Sequence, residues 1–225
     1  MSVNLPAYNK IIGELAPHKA KLVAVSKVKP ASDIQALYDA GQRIFGENYV
    51  QELQEKHPVL PNDIEWHFIG HLQSNKVKYI APFVSMIHAV DSLRLLEEIN
   101  KQAAKNNRTI RCLLQVHIAE EETKFGLDEK ELTDLLTQWK AQADKFKNIL
   151  IAGFMGMATN TDKPDQVRAE FRHLKGLQTQ LKATFAPEGE ALTELSIGMS
   201  GDYTIALEEG STMVRIGSML FGARY

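Results

Sequence analysis

The chain is poor in the features that mark specialised classes of protein. Cys112 is its single cysteine, so no intrachain disulfide can staple the fold. It stands in the apolar run Arg111-Cys112-Leu113-Leu114, the setting of a buried small hydrophobe rather than a reactive thiol. The net charge is -2, which leaves no basic field for nucleic acid or an acidic membrane. No apolar run approaches the roughly 18 residues of a membrane span. Residues 1–10 lack the charged-then-apolar pattern of a secretory leader. Repeats, low-complexity tracts and Pro/Gly linkers are missing too, so residues 1–225 read as one domain. His71, His88 and His117 match no metal motif such as H-E-x-x-H and read as hydrogen-bonded structural groups. Lys76, Lys78, Lys101, Lys105 and Arg108 read as solvated helix surface. The expectation is a soluble, cytoplasmic protein without nucleic acid, membrane or metal, and a monomer.

What the chain does have is alternation. Short apolar segments at 22–26, 43–47, 65–70, 84–90, 111–118, 149–155, 192–197 and 213–216 read as strands. Helical patterns lie between them: 8–18 as a lead-in, then 32–40, 48–57, 74–80, a helix capped by Asp91 or Ser92 and running through 106, 128–145, a long one from Pro164 to about 184, and 202–209. Ser32 with Gln35 reads as a capping box, and Leu132, Leu135, Leu136 and Trp139 share one helix face. Residues 120–126 read as a polar loop and 217–225 as the closing segment. Strands alternating with helices mean a parallel sheet. Eight units in this length predict a single (β/α)8 TIM-type barrel with an extra N-terminal helix. An open doubly wound sheet is the alternative, and the missing G-x-G-x-x-G after the first strand counts weakly against it.

The stretch Leu22-Val23-Ala24-Val25-Ser26-Lys27-Val28-Lys29-Pro30 stands out. An apolar strand buried on both faces delivers a lysine to its own carboxyl end, and Pro30 stops it. A dry neighbourhood would depress that amine's pKa and make it a nucleophile. Taken alone, the stretch is better explained by two solvated loop lysines, Lys27 and Lys29. In a barrel the carboxyl ends of the strands form the active face, with the phosphate site after strands seven and eight. Here those loops read Gly198-Met199-Ser200-Gly201-Asp202 and Arg215-Ile216-Gly217-Ser218. Glycine lets backbone approach a ligand, and amides at a helix start hold an anion, although the same glycines could serve only as turn formers. A lysine opposite a phosphate cradle suits a phosphorylated carbonyl compound, and pyridoxal 5'-phosphate (PLP) fits. Arg215 has the reach to face the pyridine nitrogen. Because arginine does not give up its proton, that nitrogen would stay unprotonated and the ring would be a poor electron sink. A structural ion pair is the competing role for Arg215.

The motifs Val25-Ser26-Lys27-Val28-Lys29-Pro30, Phe45-Gly46-Glu47-Asn48-Tyr49-Val50-Gln51-Glu52, Trp66-His67-Phe68-Ile69-Gly70-His71-Leu72-Gln73-Ser74-Asn75-Lys76, Ser200-Gly201-Asp202 and Val214-Arg215-Ile216-Gly217-Ser218 resemble the pyridoxal phosphate homeostasis protein family. That family is itself similar to the barrel domain of alanine racemase. The resemblance implies that Lys27 forms a Schiff base with PLP, that Ser200, Gly217 and Ser218 hold the phosphate, and that Arg215 faces the ring nitrogen. It implies that Asn48, His67 and Met199 line the cofactor. It further implies a binding protein without established turnover, which keeps free PLP low and supplies acceptor apoenzymes. The racemase's second domain, with its catalytic tyrosine, has no counterpart here. The alternative is a catalyst: an amino-acid racemase, or a lysine-dependent aldolase on a sugar phosphate. An aldolase of this fold commonly carries its lysine near strand six, where this chain has Gly153-Phe154-Met155-Gly156.

Overall fold

In the computed structural model, which describes residues 3–121, 125–186 and 188–222, eight parallel strands close into a barrel in sequence order. The strands are β1 (Lys21–Val25), β2 (Ile44–Glu47), β3 (Glu65–Phe68), β4 (Met86–Val90), β5 (Ile110–Gln115), β6 (Ile149–Met155), β7 (Glu194–Ser196) and β8 (Met213–Ile216). The α-helices around them are α1 (Leu5–Leu15), α2 (Ala31–Asp39), α3 (Val50–Lys56), α4 (Val77–Ile80), α5 (Leu93–Lys105), α6 (Glu129–Ala141), α7 (Pro164–Phe185), α8 (Tyr203–Glu208) and α9 (Ser218–Phe221). Pairing of β1 with β8, from Lys21 against Met213 to Ala24 against Ile216, closes the cylinder and excludes the open sheet. Part of the loop expected at 120–126 and the end of the closing segment lie outside the described residues. Among the described residues no helix is long and apolar enough to cross a membrane.

The pleat sorts side chains into two cores. On β1, Leu22 and Ala24 point outward into the shell shared with the helices, and Val23 points inward. On β8, Val214 and Ile216 go outward and Met213 inward. The outer shell carries most of the burial, through stripes such as Leu95, Leu96, Ile99 and Ala103 of α5. Each such Leu or Ile contributes about 1.5–3 kcal/mol. The inner apolar cluster is small: Val23, Met86, Ala89, Leu113, Ala152, Met155 and Met213. Partly buried Ile44, Ile69, Leu150 and Met157 pack against it, and polar side chains share the interior with them. At the amino end, Glu194 accepts hydrogen bonds from Lys21 (2.9 Å), Arg111 (3.0 Å) and Thr212 (2.7 Å). Burial works to raise its pKa, but these partners outweigh it and hold the carboxyl below its usual range.

Two local expectations need correction. The capping box at Ser32 and Gln35 does not form. Pro30, at φ -69° and ψ 158°, is the N-cap of α2, so the helix starts at Ala31 and the Gln35 amide turns to Asp39 instead. The strand expected from residue 84 begins at Met86, because Val84 is still held in the turn after α4, donating to Ile80 O. The capping box that does form, Asp128 with Glu131, opens α6.

Candidate functional site

At the carboxyl ends of the strands a cavity of about 290 Å³ is lined by Lys27, Asn48, Met199, Ser200, Arg215, Gly217 and Ser218, together with Val25, Ile69, Met157 and Gly201. The residues named from sequence thus converge on one cavity, with one exception. His67 lies inside the barrel, 3% exposed, with its Nδ1 2.9 Å from His88 Nε2, and is not among the lining residues. A larger hollow of about 500 Å³ shares Met199 and Gly201 but is otherwise lined by residues such as Thr159, Asn160 and Asp162, without a lysine.

The lysine side of the cavity is built by a tight turn after β1, closed by Lys29 N–H donating to Ser26 O at 3.1 Å. Val28 sits in the left-handed region at φ 55°, a strained place for a β-branched side chain. An ionic clamp holds it there. Glu52 accepts the Val28 N–H at 2.8 Å, and the Lys56 ammonium bridges Glu52 (2.6 Å), Glu47 (2.8 Å) and the Ser26 carbonyl (3.0 Å). Ser26 Oγ donates to the same Glu47 oxygen at 2.7 Å. Glu47 is wholly buried, and that burial pushes its pKa up against the pull of Lys56. The two lysines of the turn then part company. Lys29 donates to Phe221 O at 2.8 Å, tying the turn to α9, whereas Lys27 is half-buried in the cavity wall. The solvated-loop account of the pair is therefore replaced by two separate jobs.

The opposite side comes from the loops after β7 and β8. Gly198, at φ 93°, makes the sharp exit from β7, and a Cβ there would lie 2.6 Å from Ala206 Cβ. Asp202 Oδ1 accepts the Met199 N–H at 2.6 Å, which curls the loop. Ser218 Oγ donates to Ser200 Oγ at 3.1 Å, so two hydroxyls from different loops meet at the rim. α8 and α9 both start here, and first-turn amides have no carbonyl partner within their own helix. At Gly217 a Cβ would lie 3.1 Å from Val25 O, so the backbone passes close to β1.

Arg215 forms the inner wall. Its Nη1 donates to Ser196 O and Ser196 Oγ, both at 2.7 Å, and its Nη2 to Gly156 O at 3.0 Å. These are hydroxyl and carbonyl oxygens, so the ion pair held open for it is not what anchors it. Three hydrogen bonds do not exhaust a guanidinium. Burial brings its pKa down to about 10, with Asp202 pulling the other way, and it stays a cation at neutral pH. Asn48 Oδ1 is buried with no hydrogen-bond partner among the described residues, an acceptor or, with the amide turned, a donor. His117 Nε2 bonds Glu121 O, and His71 faces Asp91 at 3.4 Å. His88, read as a hydrogen-bonded structural group, is inside the barrel in the middle of β4 and bonds Ser196 and His67. Burial pushes the Cys112 thiol up, as befits a core residue. Reading the sequence missed Ser196, Glu52 and Lys56. The spacing of Glu52 and Lys56, four apart on one helix, was the available signal for the clamp.

An eight-stranded barrel of this connectivity, with its cavity at the carboxyl rim, is the architecture of the alanine racemase N-terminal domain, and the model of that family matches residues 7–225. Alanine racemase from Streptomyces coelicolor A3(2) shares the fold at a TM-score of 0.75 with 18% identity, over 99% of this chain and 60% of that one. Similarity in sequence runs much closer elsewhere. The pyridoxal phosphate homeostasis protein of Aquifex aeolicus is 41% identical over 91% of this chain and 87% of its own length. That of Synechocystis sp. is 40% identical over 96% and 97%. PipY of Synechococcus elongatus, solved with PLP bound, superposes at a TM-score of 0.86 with 35% identity, covering 96% of this chain and 99% of that one. The chain belongs to the pyridoxal phosphate homeostasis protein family.

Proposed function

We propose that this protein binds PLP in the rim cavity, holds it on Lys27 as a Schiff base, and keeps it in reserve for acceptor apoenzymes. The observation that carries the reading is convergence: Lys27, the Ser200 and Ser218 hydroxyls and the Arg215 guanidinium line one space of about 290 Å³. The residues present fit the group. The unpartnered Asn48 Oδ1 calls for a polar ligand, and the loop backbones at Gly201 and Gly217 leave room beside the two serines for a phosphoryl group. Bound PLP supplies an aldehyde, to whose carbon the lysine amine adds with loss of one water. Ser200, Gly217 and Ser218 hold the phosphate, Met199 and Asn48 cover the ring, and Arg215 donates towards the pyridine nitrogen.

A binding role is favoured over racemisation by the composition of the wall. A racemase needs two opposed bases, and Lys27 is the one lysine lining the cavity, with no tyrosine, histidine or carboxylate among the described lining residues. The test is spectroscopic. The purified chain incubated with PLP is expected to show the absorbance of a lysine-bound cofactor, and borohydride followed by mass mapping is expected to fix the label on Lys27. Lys27→Ala is expected to lose both, and wild-type protein to leave single-enantiomer alanine unracemised. A Lys27→Ala protein with the full band, or clear racemisation above that control, overturns the reading.

A further inference from the structure

Below the cavity, four buried side chains hydrogen-bond in series. Arg215 Nη1 reaches Ser196 Oγ at 2.7 Å, Ser196 Oγ lies 3.1 Å from His88 Nδ1, and His88 Nε2 lies 2.9 Å from His67 Nδ1. They come from β8, β7, β4 and β3, so the series crosses the interior from one wall to another. We propose that Ser196, His88 and His67 are positioning residues of the cofactor site: a one-way series of hydrogen bonds that pins the Arg215 guanidinium and points the hydrogens of Ser196, His88 and His67 away from the cavity. The proposal deepens the PLP reading and rests on it.

The direction follows from valence. A guanidinium only donates, so Ser196 Oγ accepts from it. The one hydrogen of that hydroxyl then belongs to His88 Nδ1, because no other acceptor contacts Ser196 Oγ among the described residues and an unmade hydroxyl bond at this depth is costly. With Nδ1 bare, a neutral His88 carries its hydrogen on Nε2 and donates to His67 Nδ1. His67 carries its own on Nε2. Both rings are held neutral. Burial is the first cause for each, taking His67 to about 3 and His88 well below its ordinary value. Lys21 and Arg111 push His67 the same way, and His67 and Arg215 push His88.

Two consequences reach the cavity. Arg215 cannot swing without giving up its bond to Ser196 and disturbing the series. Neither histidine has a proton to pass upward, so the nitrogen opposite Arg215 has no acid behind it. A ring kept in that state stabilises carbanions poorly, which suits storage better than turnover.

The decisive measurement uses the unaltered full-length chain, labelled with ¹⁵N at histidine, with and without PLP. Long-range ¹H–¹⁵N spectra at neutral pH are expected to show His67 and His88 both neutral, with hydrogen on Nε2 and Nδ1 bare. Hydrogen on Nδ1 of either ring, or a charged ring, overturns the proposal. In a second arm, Ser196→Ala is expected to bind PLP about tenfold more weakly and to move the pH midpoint of the cofactor's absorbance. Ser196→Thr, which retains the hydroxyl, is expected to restore that midpoint. A folded Ser196→Ala protein with unchanged affinity and midpoint overturns the positioning role. If Ser196→Ala fails to fold, the histidine spectra of the native chain still decide. Lys27→Ala separates the two claims: should it keep the wild-type spectrum, the cofactor reading itself fails. Should it lose the spectrum while Ser196→Ala changes nothing, only the positioning series fails.

Discussion

Two buried polar networks flank the same cavity, and they are made differently. The one behind Lys27 lies between the barrel and α3 and is ionic: Lys56 sits among Glu47, Glu52 and the Ser26 carbonyl. The one beneath Arg215 lies inside the barrel and passes through neutral groups, Ser196, His88 and His67. The difference follows from what each has to hold. A strained turn with Val28 at φ 55° needs strong, short-range attraction to stay in place. A guanidinium already brings its charge into the interior, and a second charge beside it would have to be desolvated as well. Uncharged acceptors satisfy it at lower cost.

Charge removal should break the two networks unequally. Lys56→Met leaves Glu47 buried and uncompensated, and about 3–5 kcal/mol of stability is expected to be lost in urea unfolding. Adding Glu47→Gln to that variant is expected to recover much of the loss, and a double variant no more stable than the single one would contradict the ionic account. Acid separates the networks by sign. His67 falls from an ordinary 6.5 to about 3, so the unfolded chain binds protons that the native chain refuses. Stability is present above about pH 6.5 and is lost as pH falls towards 3, at up to about 1.4 kcal/mol per pH unit for each buried histidine. Glu47 acts in the opposite sense: its raised pKa favours the native state as pH falls and costs stability as pH rises through the folded value. Urea midpoints measured from neutral to acid pH should fall more steeply in the wild type than in His67→Gln. Equal slopes would count against a neutral, buried His67.

Smaller effects sharpen the comparison at the cavity itself. Ser200→Ala with Ser218→Ala is expected to weaken PLP binding about tenfold with little change in unfolding, since Ser218 is exposed and both hydroxyls face the cavity. Val28→Gly removes the left-handed strain of an exposed side chain, and a gain of about 0.5–1 kcal/mol is expected. A loss of stability there would mean that the Val28 side chain, not the Glu52 clamp, holds the turn.

The barrel was legible because its alternation is local. β6 and β8 fall on the residues read from sequence, and each strand carries its own apolar signature. The rim was legible for a related reason: Lys27, Ser200, Gly217 and Ser218 stand within four residues of a strand's carboxyl end, where the fold supplies the third dimension. The interior was not. His67 and His88 are 21 positions apart, Ser196 is another 108 from His88, and no periodicity links them. His67, expected to line the cofactor, lies inside the barrel against His88 and is not among the residues that line the cavity. The capping box at Ser32 failed because Pro30 already fixes the backbone two residues earlier. Lys56 drew no reading from the sequence, since its acidic partner Glu47 comes from a strand nine positions away.

Gly70 follows β3, and a methyl group there would come within 2.4 Å of the Asn48 carbonyl oxygen. The backbones of the second and third rim loops are thus in direct contact. Asn48 lines the cavity, and the neighbouring loop that touches its backbone contributes Ile69 to the same wall. A side chain at position 70 would therefore have to displace the Asn48 backbone, so a change outside the cavity wall reaches a residue that lines it.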